Sequence, residues 1–157
     1  MTDLETRIAK IEAVEDIKRL KARYAAACDD AYNPMTMETL FTEDATWSAG
    51  PFGRYEGREA IVEFFRGVSS SITWALHYML TPIIEVDDGA VTASGSWYLW
   101  MPFTAVADHG PQAAWVAGLY DDRYRREAHG WRISSIDADI QIMSPYEDGW
   151  VKTPVMG

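Results

Sequence analysis

The chain has 157 residues, a formal charge of −10, one cysteine, seven tryptophans and eight tyrosines. That length suits one domain with a core needing no staples, and a lone cysteine excludes an internal disulfide or a multi-thiolate metal cage, as in a reducing cytoplasm. The negative charge argues against a nucleic-acid groove, which needs a basic stripe, and no apolar run reaches membrane-spanning length.

The start, MTDLETRIAKIEAVEDIKRLKARY, is charged and amphipathic, so no secretory signal is expected. Apolar residues at Ile8, Ile11, Val14, Ile17, Leu20, Tyr24 and Cys28 step by threes and fours, which predicts a first helix within residues 1–32 with one buried stripe. It should stop near Asp29 to Tyr32, because Asn33 is a good N-cap and Pro34 a good first residue for a short second helix carrying Met37, Leu40 and Phe41 inward. Residues 33–70 continue with a short strand around Ala45 to Trp47, a turn, a second short strand, and a helix in GREAIVEFFRGV ended by Gly67.

From Ser71 the pattern turns extended. Residues 71–144 read as four long strands in an antiparallel meander: TWALHYMLTPIIEV with a bulge or bend at Pro82, a turn at Asp87-Asp88-Gly89, then AVTASGSWYLWMPF. A loop from Ala107 to Pro111 leads to AAWVAGLYDDRYRRE, and a turn at His129-Gly130 leads to WRISSIDADIQIM. The tail, 145–157, is expected to cover a pocket or a neighbouring subunit. Helices first and a long curved sheet afterwards make an α+β fold in one domain.

This order, with the local sequences IEAVEDIKRLKARYAAACDD, LFTEDATW, GREAIVEFF, ASGSWYLW and GWRISSID, resembles the nuclear transport factor 2-like superfamily and its SnoaL-like branch. The resemblance implies a cone: a strongly curved antiparallel sheet packed against three N-terminal helices around a deep apolar cavity. A narrower resemblance is to lyases of the bile acid 7α-dehydratase and scytalone dehydratase type. These carry a tyrosine and an aspartate five apart at the end of the first helix and a histidine before Thr-Pro. The matching residues here are Tyr24, Asp29 and His77. An arginine that such enzymes carry on the last strand has no counterpart; Ile140 stands there.

An acid at a helix C-terminus is unfavourable, because the aligned peptide dipoles leave negative charge on the last carbonyls. Asp29 there, beside Asp30 and partly desolvated, is expected to hold its proton nearer neutral pH, as a general base should. Tyr24 and Asp29 lie about 140° apart on an ideal helix, so sharing a cavity requires the helix to end or unwind between them. His77 would pair with Asp29, and Asp30, His109 and His129 read as solvated. Cys28 reads as core, since acidic surroundings disfavour thiolate, and Arg123, Arg125 and Arg126 as a charged strand end.

Trp47, Trp74, Tyr98, Trp100, Trp115 and Tyr120 are candidate substrate contacts, although alternation allows only about half of the strand residues to face inward. Outward rings would then imply a homodimer or homotrimer. No metal-ligand spacing, phosphate loop or nucleophile elbow occurs, so no metal or cofactor is expected.

The expected activity is that of a cofactor-independent lyase. It would eliminate water or formaldehyde from a small hydrophobic, cyclic or aromatic substrate such as a lignin-derived phenolic. Asp29 aided by His77 would be the base and Tyr24 the donor. The alternatives are a ketosteroid-isomerase-like proton shift and a non-catalytic binding module or dioxygenase β-type subunit.

Overall fold

The structure is a computed structural model describing residues 2–156; Met1 and Gly157, which the sequence-based segments included, lie outside it. Helix α1 (Asp3–Asp29) starts from a capping box in which Thr2 Oγ1 accepts from the Glu5 amide at 3.2 Å and Glu5 Oε2 accepts from the Thr2 amide at 2.6 Å. Its buried stripe begins only at Ala13: Ile8 and Ile11 are exposed, because the first turns of α1 run past the body of the domain. The stripe then continues through Ile17, Leu20, Lys21, Tyr24 and Cys28.

After α1 the chain reverses through Ala31 and Tyr32, both left-handed at φ 52° and 57°. The short helix α2 (Pro34–Glu38) follows, with Asn33 Oδ1 accepting from the amides of Met35 and Thr36. Leu40 and Phe41 are fully buried as expected, but α2 has already ended and Phe41 opens strand β1 (Phe41–Ser48). A single 3-10 turn at Gly50–Phe52 and strand β2 (Arg54–Glu56) lead into helix α3 (Arg58–Val68), which buries Ile61, Val62 and Phe65.

The first expected long strand is two: β3 (Ile72–Ala75) and β4 (Tyr78–Val86), both paired with β5 (Thr92–Ala107). Pro82 falls where the β4–β5 register shifts, beside Thr81 at φ 44°. Strands β6 (Gly110–Glu127) and β7 (Gly130–Pro145) complete the meander, with only Asp108 and His109 left where a longer loop was expected. Among the described residues seven strands form one sheet in the order β2-β1-β7-β6-β5-β3, with β4 also on β5. All pairs are antiparallel except β1 on β7, which is parallel.

The sheet is curved and open, and the helices pack on its inner face. Alternating residues of β5 (Trp97, Leu99, Met101, Phe103), β6 (Ala114, Val116, Tyr120, Tyr124) and β7 (Ile133, Ile136, Ala138) build the core with the buried stripe of α1. The tail runs back along β7, with helix α4 (Gly149–Lys152) and a parallel bridge from Val155 to Met143. Among the described residues, no helix is long and apolar enough to cross a membrane.

Candidate active site

Where β3 breaks from β4, the His77 amide leaves the ladder with β5 and donates instead to Asp29 Oδ1 at 2.9 Å. The same oxygen lies 2.8 Å from His77 Nδ1. A carboxylate can only accept, so Nδ1 is the donor in this contact, and in the neutral ring Nε2 is the nitrogen that keeps its lone pair. The imidazole is 5 % exposed and lines an inner cavity, while the Asp29 side chain is 29 % exposed and stands behind the ring.

That geometry differs from the one expected of Asp29. Helix α1 does not unwind between Tyr24 and Asp29; it continues to Asp29 itself. Tyr24 therefore faces the cavity and Asp29 does not, as their angular separation on an intact helix demands. His77 spans the gap. The carboxyl group contacts the ring at Nδ1, and of the two residues it is His77 that lines the cavity.

The cavity has a free volume of about 70 Å³, room for a few water molecules or, with small shifts of its rim, one aromatic ring. Its walls are apolar, from Phe52, Phe64, Phe65, Met101, Phe103 and Val116 among others. Its polar groups are few: His77 and the hydroxyls of Tyr24, Tyr32 and Tyr120, with Trp47 and Cys28 beside them. Trp47 Nε1 donates to the Tyr24 oxygen at 3.1 Å, which leaves the Tyr24 proton for Tyr120, Cys28 or a bound molecule. Burial raises the pKa of Tyr24, Tyr32 and Tyr120 well above the usual phenol range, so all three remain neutral donors at physiological pH. Burial likewise holds the Cys28 thiol protonated, consistent with its place in the core.

Of the six candidate aromatic contacts, Trp47 and Tyr120 line the cavity. Trp74, Tyr98, Trp100 and Trp115 do not. On β5 the odd-numbered residues face inward, and on β6 the even-numbered ones, so Tyr98, Trp100 and Trp115 stand on the outer face. Trp74 precedes the inward Ala75 and is 52 % exposed. Trp100 and Trp115 stack at 5.1 Å under Trp150 and Tyr146, so the tail meets these rings and contributes nothing to the cavity wall.

Two features escaped the sequence reading. Tyr32 reaches the site through its left-handed backbone, lying edge-on to His77 at 5.8 Å and stacked on Phe65 at 5.7 Å. The second is a buried network: Lys21 Nζ lies 2.7 Å from Asp122 Oδ2, which also accepts from the Tyr124 hydroxyl at 2.6 Å, while Trp97 Nε1 donates to Tyr124 at 2.9 Å. Its signal was present, since Lys21 lies on the apolar stripe of α1 and Asp122 on the inward register of β6. Ile140, at the position of the missing arginine, lines the cavity and adds no charge. Asp30, His109 and His129 are on the surface. Among the described residues, no three acidic, histidine or cysteine groups converge as metal ligands would.

Comparison with known proteins supports this frame. A protein from Novosphingobium aromaticivorans, provisionally assigned as an aromatic ring hydroxylase, superposes with a TM-score of 0.76 at 27 % identity, over 88 % of this chain and 96 % of that one. The hexachlorocyclohexane dehydrochlorinase LinA-type3 of Novosphingobium barchaimii gives 0.73 at 21 % identity, over 92 % and 94 %. A protein of Novosphingobium aromaticivorans provisionally assigned as a scytalone dehydratase gives 0.75 at 20 % identity, over 93 % and 92 %. At the two lower identities the likeness carries the fold and no activity. No curated protein sequence matches the chain. The sequence profile of the SnoaL-like domain matches residues 9–137, most of the chain, and the protein belongs to that family.

Proposed function

We propose that this protein is a cofactor-independent lyase acting on a small hydroxylated aromatic or cyclic molecule, with His77 as general base, Asp29 as its positioning residue and Tyr24 as proton donor. The observation that carries the reading is the Asp29–His77 pair, with one imidazole nitrogen held from behind and the ring lining an apolar cavity. Asp29 enforces the tautomer in which Nε2 accepts. The neighbours named for removing water or hydrogen chloride support elimination as the reaction class, and the neighbour named for aromatic rings supports the substrate class.

In a dehydration, Nε2 takes a proton from the carbon next to the one bearing the hydroxyl. The C–H electron pair becomes the new double bond, the C–O bond breaks, and Tyr24 protonates the departing oxygen as water. In the deformylating variant, Nε2 takes the proton of a hydroxymethyl group and the C–C bond breaks. Formaldehyde leaves, and the electron pair passes through the conjugated system of a dienone-type substrate to its carbonyl oxygen, which Tyr24 protonates. The cavity, about 70 Å³, is tighter than a one-ring phenolic such as lignin breakdown supplies would fill, so the reading requires its apolar rim to open on binding, and a steroid lies further beyond it.

The test is a panel of hydroxylated one-ring aromatics in heavy water, followed by NMR. Elimination gives an alkene or free formaldehyde, and His77→Gln should slow it ~10²–10⁴-fold, the usual contribution of a positioned base. Turnover unaffected by that substitution overturns the reading. Deuterium entering an intact substrate, with nothing expelled, replaces it with a proton-shift isomerase. A panel that binds without any exchange replaces it with a binding module.

A further inference from the structure

The Lys21–Asp122 pair is wholly buried, yet it is not arranged as a stability device. Among the described residues neither Asp122 Oδ1 nor Lys21 Nζ has a hydrogen-bond partner of good geometry, although Nζ and the Tyr124 hydroxyl both lie against Oδ2. Apolar side chains of similar volume would commonly fill such a place at no loss of stability. The pair also has a direction. Its cation lies 3.7 Å from the ring centre of Tyr120 and 4.9 Å from that of Tyr24, the two phenols that line the cavity. Its anion accepts from the Tyr124 hydroxyl, which itself accepts from Trp97, and neither of those rings lines the cavity.

We infer that the Lys21–Asp122 pair positions positive potential behind Tyr120 and Tyr24, and so selects substrates whose transition state gathers negative charge on a ring-borne oxygen: a phenol, an enol or a conjugated carbonyl. Lys21 touches no substrate and acts through the two rings. An ammonium group on a ring face draws π density toward itself and leaves the phenolic O–H a stronger donor. Lys21 is wholly buried, so its field is screened less than it would be at the surface. The other titratable groups around the cavity are Tyr32 and Cys28, both kept neutral by burial, and His77 with Asp29 at the rim. Lys21 is thus the cation placed against the phenol end. This inference rests on the lyase reading only for its catalytic meaning; as a statement about oxyanion binding it stands alone.

The experiment is ground-state binding of 4-nitrophenol, whose neutral and anionic forms differ in visible absorbance. At one fixed pH, the wild-type protein should hold the probe enriched in phenolate relative to free solution. Lys21→Gln/Asp122→Asn replaces two charges with two amides that can still pair, and should lower the phenolate-to-phenol affinity ratio about three- to tenfold. Tyr124→Phe disturbs the network but keeps both charges, and should leave the ratio within about twofold. A purely structural role predicts that both variants lose affinity for the two forms alike.

Enrichment of the neutral form by the wild type overturns the inference, as does failure to bind the probe. So does an unchanged ratio in the double variant, or a Tyr124→Phe effect equal to it. If the double variant does not fold, the wild-type spectrum decides. No turnover is read, so failure of the heavy-water experiment and failure of this one are separate results.

Discussion

The two faces of the sheet carry the same kinds of side chain to opposite ends. Trp97, Tyr120 and Tyr124 face inward, where burial leaves no water for a polar tip and Trp97 and Tyr124 bond to each other. Tyr98, Trp100 and Trp115 face outward from the same two strands, and there Trp100 and Trp115 stack on each other while Trp150 of the tail meets Trp100 edge-on. Enclosure separates the faces. An inner ring must match its neighbours in both shape and polarity, whereas an outer ring has only to find a flat partner.

The largest break in this comparison should come at the inner rim. Asp29→Asn removes the carboxylate that fixes the His77 tautomer, and turnover should fall by about two orders of magnitude or more while far-UV circular dichroism stays unchanged. Next is Lys21→Met, which strands Asp122 without its cation and should cost about 3–5 kcal/mol in urea unfolding.

That deficit should depend on pH with a definite sign. Burial raises the pKa of Asp122 above the ordinary carboxylate value, and Lys21 opposes this. A carboxyl group that binds its proton more tightly when folded favours folding at low pH and loses that advantage as pH rises through its folded value. The Lys21→Met deficit is therefore smallest below the ordinary carboxylate range and grows as pH rises through and beyond it.

Gly118→Ala tests how tightly the inner face is closed. A Cβ there would meet the Asp139 carbonyl oxygen at 2.3 Å, and backbone cannot yield as a side chain can. A loss of about 1–3 kcal/mol in thermal or chemical denaturation is expected. The smallest effect sharpens the contrast from outside. Trp100→Ala removes a large ring from the outer stack, yet affinity for a cavity ligand measured by calorimetry should stay within about twofold, because no atom of that ring lines the cavity.

Much of this was legible in one dimension. The apolar steps of α1, the cap at Asn33-Pro34, the turns around Asp87 and His129 and the alternation of β5 to β7 are local signals, and the elements stand where those signals lie. The break at Leu76-His77 was not legible, because nothing in TWALHYML interrupts an extended pattern. The amide of His77 leaves the ladder because a carboxylate from α1 is there to receive it. The left-handed turn that brings Tyr32 into the cavity was likewise invisible, since neither Ala31 nor Tyr32 is a residue that announces positive φ.

The chain alone determined the order of helices and strands and the apolar faces, because these follow from residue type and spacing, whereas the grouping of Tyr24, Asp29 and His77 was implied only by the resemblance to the dehydratase type. Tertiary structure decided which parity of each strand became the interior, and with it that Tyr120 would line the cavity and Trp100 would not. It also decided that imidazole, and not carboxylate, would face the cavity. Alternation gives two equivalent faces until a helix packs on one of them, and a helix gives one angular position per residue until another segment arrives to meet it.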